Sequence, residues 1–312
     1  MSELDELLAR DDTLIWVDIR QCDEEAVHLL TDVLHCHPLA ARDCAVRNRV
    51  PRVHIYPQHH LLILHGPERG PSGHVHYLEL DQIIGDRYVV TVHGPLNPAV
   101  DPQVALRETD AVRRRLESGR LRPKSPYELS YAIVSTLAQR LESFIEEITR
   151  DVWQLEQRVT GGHMGNPEEF LEELFQARHG LLAVRTMGAL GAEVYGRIVA
   201  LGQRVKNSDL SLITDVVDQF GRIRGLADGQ REYLQGVIEF YRVRAETKMT
   251  IAAERLAVIA VVTLPITALS SIYGMNIIVN DNTHLPQLIA VLVVMAIMSA
   301  MLLTWAKRRG WW

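Results

Sequence analysis

Two long stretches near the C-terminus carry no charge. Every residue from 256 through 280 is uncharged, with an apolar heart at 256–273, and 285–305 is uncharged again. At 1.5 Å per residue each run is long enough to cross the hydrocarbon of a bilayer. Pro286 falls in the first turn of the second run, where a missing N–H costs little. Pro265 falls inside the first run and frees a carbonyl about one turn back, which a protein-lined interior tolerates better than lipid. The pattern predicts a membrane hairpin over 256–312 with a short polar loop. Arg242, Arg244, Lys248 and Arg255 precede it, Lys307, Arg308 and Arg309 follow it, and the loop at 277–284 has no Lys or Arg. The positive-inside rule then places both termini in the cytoplasm. The alternative is a buried helical hairpin of a soluble protein, for which two such spans with basic flanks are unusual.

Upstream the periods change. Residues 13–19 read as a strand, and Asp23, with Glu24 and Glu25 behind it, caps a helix expected to reach His35. Short apolar or alternating runs at 61–64, 75–80 and 87–92 read as strands, and 98–118 reads as a helix carrying several arginines. From Ser125 the pattern is helical almost without break. Pro126 sits at the first helical position, the period runs to about Thr160, and 161–167 forms a turn. A second helix continues to about Val205, Asn207 and Ser208 break it, and Ser208 is expected to cap a third that begins at Asp209. That third helix has no stop before the membrane, although Gly221, Gly225, Gly229 and Gly236 each cost helix propensity. At about 65 residues it would be roughly 100 Å long, which suggests a stalk packed against copies of itself. The expected fold is an α/β N-terminal cytoplasmic domain (1–124), a cytoplasmic helical hairpin (125–207), a stalk helix (208–255) and the transmembrane hairpin (256–312).

Along that helix Thr250, Ala253, Leu256, Ala260, Leu264, Thr267 and Ser271 recur every three or four residues, a stripe of small, aliphatic and hydroxyl side chains. Glu232, Glu239 and Glu246 lie seven apart and also share a stripe. In a lone chain they make a solvated acidic face; in a ring of helices they would stack as carboxylate rings that concentrate cations. Tyr273-Gly274-Met275-Asn276 ends the first span. Gly274 permits close backbone approach and Asn276 offers a neutral amide oxygen, although Asn is also a common helix C-cap.

Composition narrows the function classes. The chain has 312 residues and a net charge of −6, a balance that argues against a general nucleic-acid binder. Three cysteines, Cys22, Cys36 and Cys44, without regular spacing fit a reduced cytosolic domain. The first residues are acidic and polar, unlike a secretory leader. No Gly-rich phosphate loop and no nucleophile–base pairing stands at usable spacing, so neither an ATP-coupled pump nor an enzyme is expected. The pairs His35/His37 and His74/His76 lack the partners of a zinc site. Lys307, Arg308 and Arg309 would repel cations or meet lipid head groups, although a topology signal alone explains them.

With its place at the end of the first of two C-terminal spans, the tetrapeptide 273–276 resembles the signature of the CorA, or 2-TM-GMN, family of divalent-cation channels. The stretch 263–276, Asp215 and Asp218 in the stalk, and the segments Trp16–Ile19, His37–Ala40 and 90–93 resemble that family as well. The resemblance implies a homopentamer in which the stripe from Thr250 to Ser271 lines a pore. Gly274, Met275 and Asn276 would form the selectivity filter, passing hydrated Mg²⁺ down the membrane potential in the cell (inner) membrane. It further implies regulation by intracellular Mg²⁺ at Asp215 and Asp218, with Glu239 an acidic stalk position and no organic cofactor. Co²⁺, Zn²⁺ or Ni²⁺ remain possible cargoes; Met275, where zinc-transporting relatives usually carry Val, favours Mg²⁺. A non-conducting metal sensor or scaffold is the reading from a different class. Two departures from the family pattern stand out: the loop after Asn276 has Asp281 as its sole acid, and Ala41-Arg42 replaces the usual acidic residue before Asp43.

Overall fold

The computed structural model describes residues 10, 13–95, 97–162, 165–201, 205–274 and 285–308. They fall into two compact units, Met1–Ile238 and Glu239–Trp312.

The first unit is built on five strands: β1 (Ile15–Ile19), β2 (Arg52–Ile55), β3 (His60–Arg69), β4 (Val75–Ile84) and β5 (Tyr88–Val92). Their order is β1-β5-β4-β3-β2. β2 to β5 form an antiparallel meander, and β1 adds to β5 in parallel. One face is covered by α1 (Glu24–His28), a π-helical turn (Leu29–Val33) and α2 (Pro38–Ala45). Leu30, Ala40 and Cys44 pack there with Leu61, Ile63, Val90 and Val92. After α3 (Pro102–Ala105), helices α4 (Arg107–Glu117) and α5 (Pro126–Thr160) cover the other face, where Val112, Leu129 and Ile133 meet Leu80 and Val89. Alternate residues of a strand point to opposite faces. β3 is buried for eight residues, so Leu61 to Leu64 form an apolar run without polar alternation.

Several local readings are revised. The helix capped by Asp23, whose Oδ1 accepts from Ala26 N at 2.9 Å, stops at Val33 rather than His35. Leu34 N bonds five residues back to Leu29 O at 3.1 Å, the widened turn of a π-helix, and His35 takes φ +50°. The helix expected over 98–118 begins at Pro102, where Asp101 caps it through Gln103 N at 2.9 Å, and breaks at Leu106 (φ −91°, ψ 0°). β2 and α2 were not anticipated. β2 carries Arg52 and His54 between its apolar residues, and α2 is capped by a histidine, whose Nδ1 accepts from Leu39 N at 3.2 Å. Between β3 and β4 the chain turns at Gly73, whose φ of +70° favours glycine.

Ser125 Oγ accepts from Glu128 N at 3.1 Å while Glu128 returns to Lys124 N at 2.6 Å, a reciprocal cap that starts α5. α6 (Pro167–Leu201) packs back along it. α7 (Asn207–Gly274) is one helix of 68 residues. Asp209 N and Leu210 N already bond to Lys206 O at 2.9 and 3.2 Å, so Ser208 lies inside the first turn and is not the cap. In this unit α7 buries Ile213, Val216, Phe220, Ile223, Ala227, Leu234 and Val237, one helical stripe. Glycines of α6 allow the close approach. A Cβ at Gly191 would stand 2.7 Å from the Phe220 ring, and one at Gly188 would stand 3.1 Å from the Arg224 backbone nitrogen.

The second unit contains the rest of α7 and α8 (Leu285–Arg308). Both helices are long and apolar enough to cross a membrane, and only 6% of each apolar window is buried within the chain. A core hairpin of a soluble protein would bury these side chains, so that alternative is set aside.

Candidate ion path and metal site

α7 ends at Gly274. Met275 and Asn276, the rest of the expected filter, and the loop at 277–284 lie outside the described residues. The stripe below them is described. Thr250, Ala253, Leu256, Leu264, Thr267 and Ser271 are exposed in the single chain, Leu256 and Leu264 at 67% each, and Ala260 is half-buried. On the opposite side of the helix Val258 is buried and Val262, Pro265 and Leu269 are half-buried. With 100° between successive residues, these two sets lie about half a turn apart. From residue 258 to 271 the stripe therefore lies on the side the chain leaves open, whereas residues 251–257 are exposed all round the helix.

The hydroxyls on this side are already oriented. Thr267 Oγ1 donates to Thr263 O at 2.9 Å and Thr250 Oγ1 to Glu246 O at 3.0 Å. A hydroxyl whose proton is spent on the preceding turn keeps its acceptor lone pairs free. Such an oxygen suits a hydrated cation, whose bound waters point their hydrogens outward. Glu232, Glu239 and Glu246 are exposed, and Glu246 accepts from Arg242 Nε at 3.0 Å.

In the first unit Asp215 is half-buried and its Oδ2 accepts from Tyr131 Oη at 2.7 Å and Gln219 Nε2 at 2.6 Å. The Tyr131 hydrogen bond, followed by that of Gln219, holds the Asp215 carboxyl below its ordinary range. Asp218, one turn on, is exposed. Among the described residues of one chain no group of three or more His, Cys, Asp or Glu side chains is gathered to hold a metal, so Asp215 and Asp218 do not form a closed site by themselves. Asp43, where the family pattern departs, has Arg42 at 3.9 Å, Arg52 at 3.8 Å and His54 at 3.6 Å. Basic neighbours of the same chain already surround that carboxylate.

The N-terminal signature residues have structural work. Thr91 Oγ1 and His93 Nε2 meet Asp18 Oδ1 at 2.5 and 2.9 Å, and Trp16 Nε1 donates to Thr91 Oγ1 at 3.0 Å. Together they lock β1 onto β5. His74 and His76 stack edge to face at 4.9 Å. All three cysteines are free thiols, and burial pushes Cys22 and Cys36 up to about 11 and Cys44 higher still.

An α/β unit followed in the chain by two helices long and apolar enough to cross a membrane is the architecture of a two-span membrane protein. The family model for CorA, described as CorA-like Mg²⁺ transporter protein, matches residues 11–308. The chain belongs to the CorA family, whose members are membrane transporters of divalent metal ions and not enzymes. YfjQ of Bacillus subtilis (strain 168) is 23% identical over 303 residues, spanning 95% of this chain and 89% of YfjQ. The cobalt/magnesium transport protein CorA of Thermotoga maritima is 22% identical over 311 residues, spanning 96% and 84%. The solved CorA magnesium transporter of Methanocaldococcus jannaschii superposes with a TM-score of 0.80 at 15% identity, covering 97% of this chain and 93% of that one. That likeness establishes the shared fold.

Proposed function

We propose that the protein is a passive channel for hydrated Mg²⁺, assembled as a homopentamer in the cell membrane with both termini in the cytoplasm. The observation that carries this reading is the stripe of α7 from Thr250 to Ser271, on the first of two helices long and apolar enough to cross a membrane. Five such stripes facing one axis would line a pore: hydroxyls at Ser271, Thr267 and Thr250, and an apolar constriction at Leu264, Ala260, Leu256 and Ala253. The Asn276 amides at the mouth would accept hydrogen bonds from the ion's water shell. Mg²⁺ releases water reluctantly, so neutral acceptors outside an intact shell permit flux where bare carboxylates would trap the ion. The second spans would face lipid.

Uptake needs no nucleotide. A divalent ion crossing about 100 mV, inside negative, gains roughly 4.6 kcal/mol. Intracellular Mg²⁺ bound at Asp215 and Asp218 between neighbouring subunits would offset carboxylate repulsion and hold the ring closed, with Glu239 below the membrane as a further cation-attracting position. The 1–124, 125–207, 208–255 and 256–312 segments then serve as cytoplasmic α/β domain, helical hairpin, stalk and pore. The name of the Thermotoga relative supports Co²⁺ as a second cargo.

The test is ion flux into liposomes carrying the purified protein. Wild type should admit Mg²⁺ under an inside-negative potential and Asn276→Ala should lose flux or selectivity. Absence of flux in wild type at low internal Mg²⁺ would rule out the channel in favour of a scaffold or sensor.

A further inference from the structure

Asp215 is held by one oxygen only. Tyr131 of α5 and Gln219 of α7 both donate to Oδ2, at 2.7 and 2.6 Å. Gln219 Nε2 also lies 3.3 Å from Ser135 Oγ and 3.4 Å from Tyr131 Oη, so the two donors brace each other. Among the described residues no hydrogen bond reaches Oδ1.

An ionised carboxylate offers lone pairs on both oxygens. Here two donors use Oδ2 and leave Oδ1 open. Larger divalent ions such as Ca²⁺ readily take both oxygens of one carboxylate in a flexible shell of six to eight ligands, whereas Mg²⁺ takes single oxygens in a tight octahedron and keeps most of its water. The donor set fits Mg²⁺, since Asp215 and the exposed Asp218 supply hard oxygens and no soft ligand. We propose that Tyr131 and Gln219 restrict Asp215 to one-oxygen coordination and thereby set the preference of the regulatory site for Mg²⁺ over Ca²⁺. This rests on the reading of Asp215 as a ligand for intracellular cation. It assigns the selectivity of that site to two residues that are not themselves ligands.

The experiment measures the rise in unfolding temperature of the full-length, detergent-solubilised protein as Mg²⁺ or Ca²⁺ is added, since a ligand of the folded state stabilises it by mass action. Wild type should respond at lower Mg²⁺ than Ca²⁺. In Tyr131→Phe/Gln219→Leu the Ca²⁺ midpoint should move toward or below the Mg²⁺ midpoint, a change in their ratio of about tenfold. Gln219→Leu alone, which frees one of the two bonds, should move the ratio in the same direction and serves if the double variant does not fold. Asp215→Ala separates the two ideas. Equal responses in wild type and Asp215→Ala overturn both the cation reading and this proposal. A response lost in Asp215→Ala but an unchanged ion ratio in the Tyr131 and Gln219 variants overturns this proposal alone.

Discussion

Arg140 of α5 and Glu108 of α4 form an ion pair inside the first unit. Nη1 contacts the two carboxylate oxygens at 3.0 and 3.2 Å, with side-chain exposures of 7% and 3%. Arg140 also donates to Pro67 O at 3.0 Å and to Glu68 at 2.8 Å, joining α4, α5 and β3. Removing one member of a buried pair strands the other charge, at a cost of about 3–5 kcal/mol, whereas replacing both by apolar residues can be neutral. Arg140→Met is expected to destabilise by that amount in denaturant unfolding followed by circular dichroism. Arg140→Met/Glu108→Leu should recover part of the loss; no recovery would show that the bonds to Pro67 and Glu68 dominate.

Asp18 predicts an acid limb of stability. Burial pushes its carboxyl up, but the hydrogen bond and charge of His93 and the hydrogen bonds of Thr91 and Thr109 together outweigh burial and leave it below the ordinary value. A carboxyl lowered on folding contributes stability above its unfolded pKa of about 3.9 and loses it as pH falls through the folded value. Asp18→Asn should therefore be less stable than wild type at pH 7 by roughly 1–2 kcal/mol. The gap should close below about pH 4. A gap that persists at low pH would assign the loss to packing instead.

Two mid-helix glycines should behave oppositely. Gly191→Val places carbon against the Phe220 ring and should cost about 1–3 kcal/mol by overpacking. Nothing lies within 4 Å of a Cβ at Gly225, so Gly225→Ala should gain about 1 kcal/mol from helix propensity. Thermal unfolding of the two variants checks both. A loss at Gly225 would reveal a neighbouring copy pressed against that face of α7.

Asp215→Ala should shift the internal Mg²⁺ concentration that suppresses flux upward by about tenfold. Liposomes loaded with graded internal Mg²⁺ measure this directly. Unchanged suppression would remove Asp215 from the regulatory role.

The long-period features of this fold were legible in the sequence because they are written in consecutive residues. The uncharged runs, the cap at Ser125 and the uninterrupted period of α7 all follow from local pattern. What escaped was tertiary. Tyr131 meets Asp215 across 84 positions, and an isolated tyrosine on a helix carries no signal of its partner. β2 was hidden because Arg52 and His54 dilute its apolar residues, and α2 because its cap is histidine rather than Ser, Thr, Asp or Asn. Ser208 misled for the complementary reason: it is a favoured capping type, but the carbonyl that accepts the first helical bonds belongs to Lys206.

The thiol chemistry of the first unit has a use at the other end of the chain. Burial pushes the Cys22 and Cys36 thiols up to about 11, so a far smaller share of either is ionised near neutral pH than of an ordinary cysteine. Wild type should thus react slowly with alkylating reagents, and Leu264→Cys would add a thiol on the stripe itself, fast where water reaches it and slow where water is kept out. Its alkylation rate with Mg²⁺ and without it would turn the native chain, with no cysteine removed, into a reporter of whether water reaches the stripe.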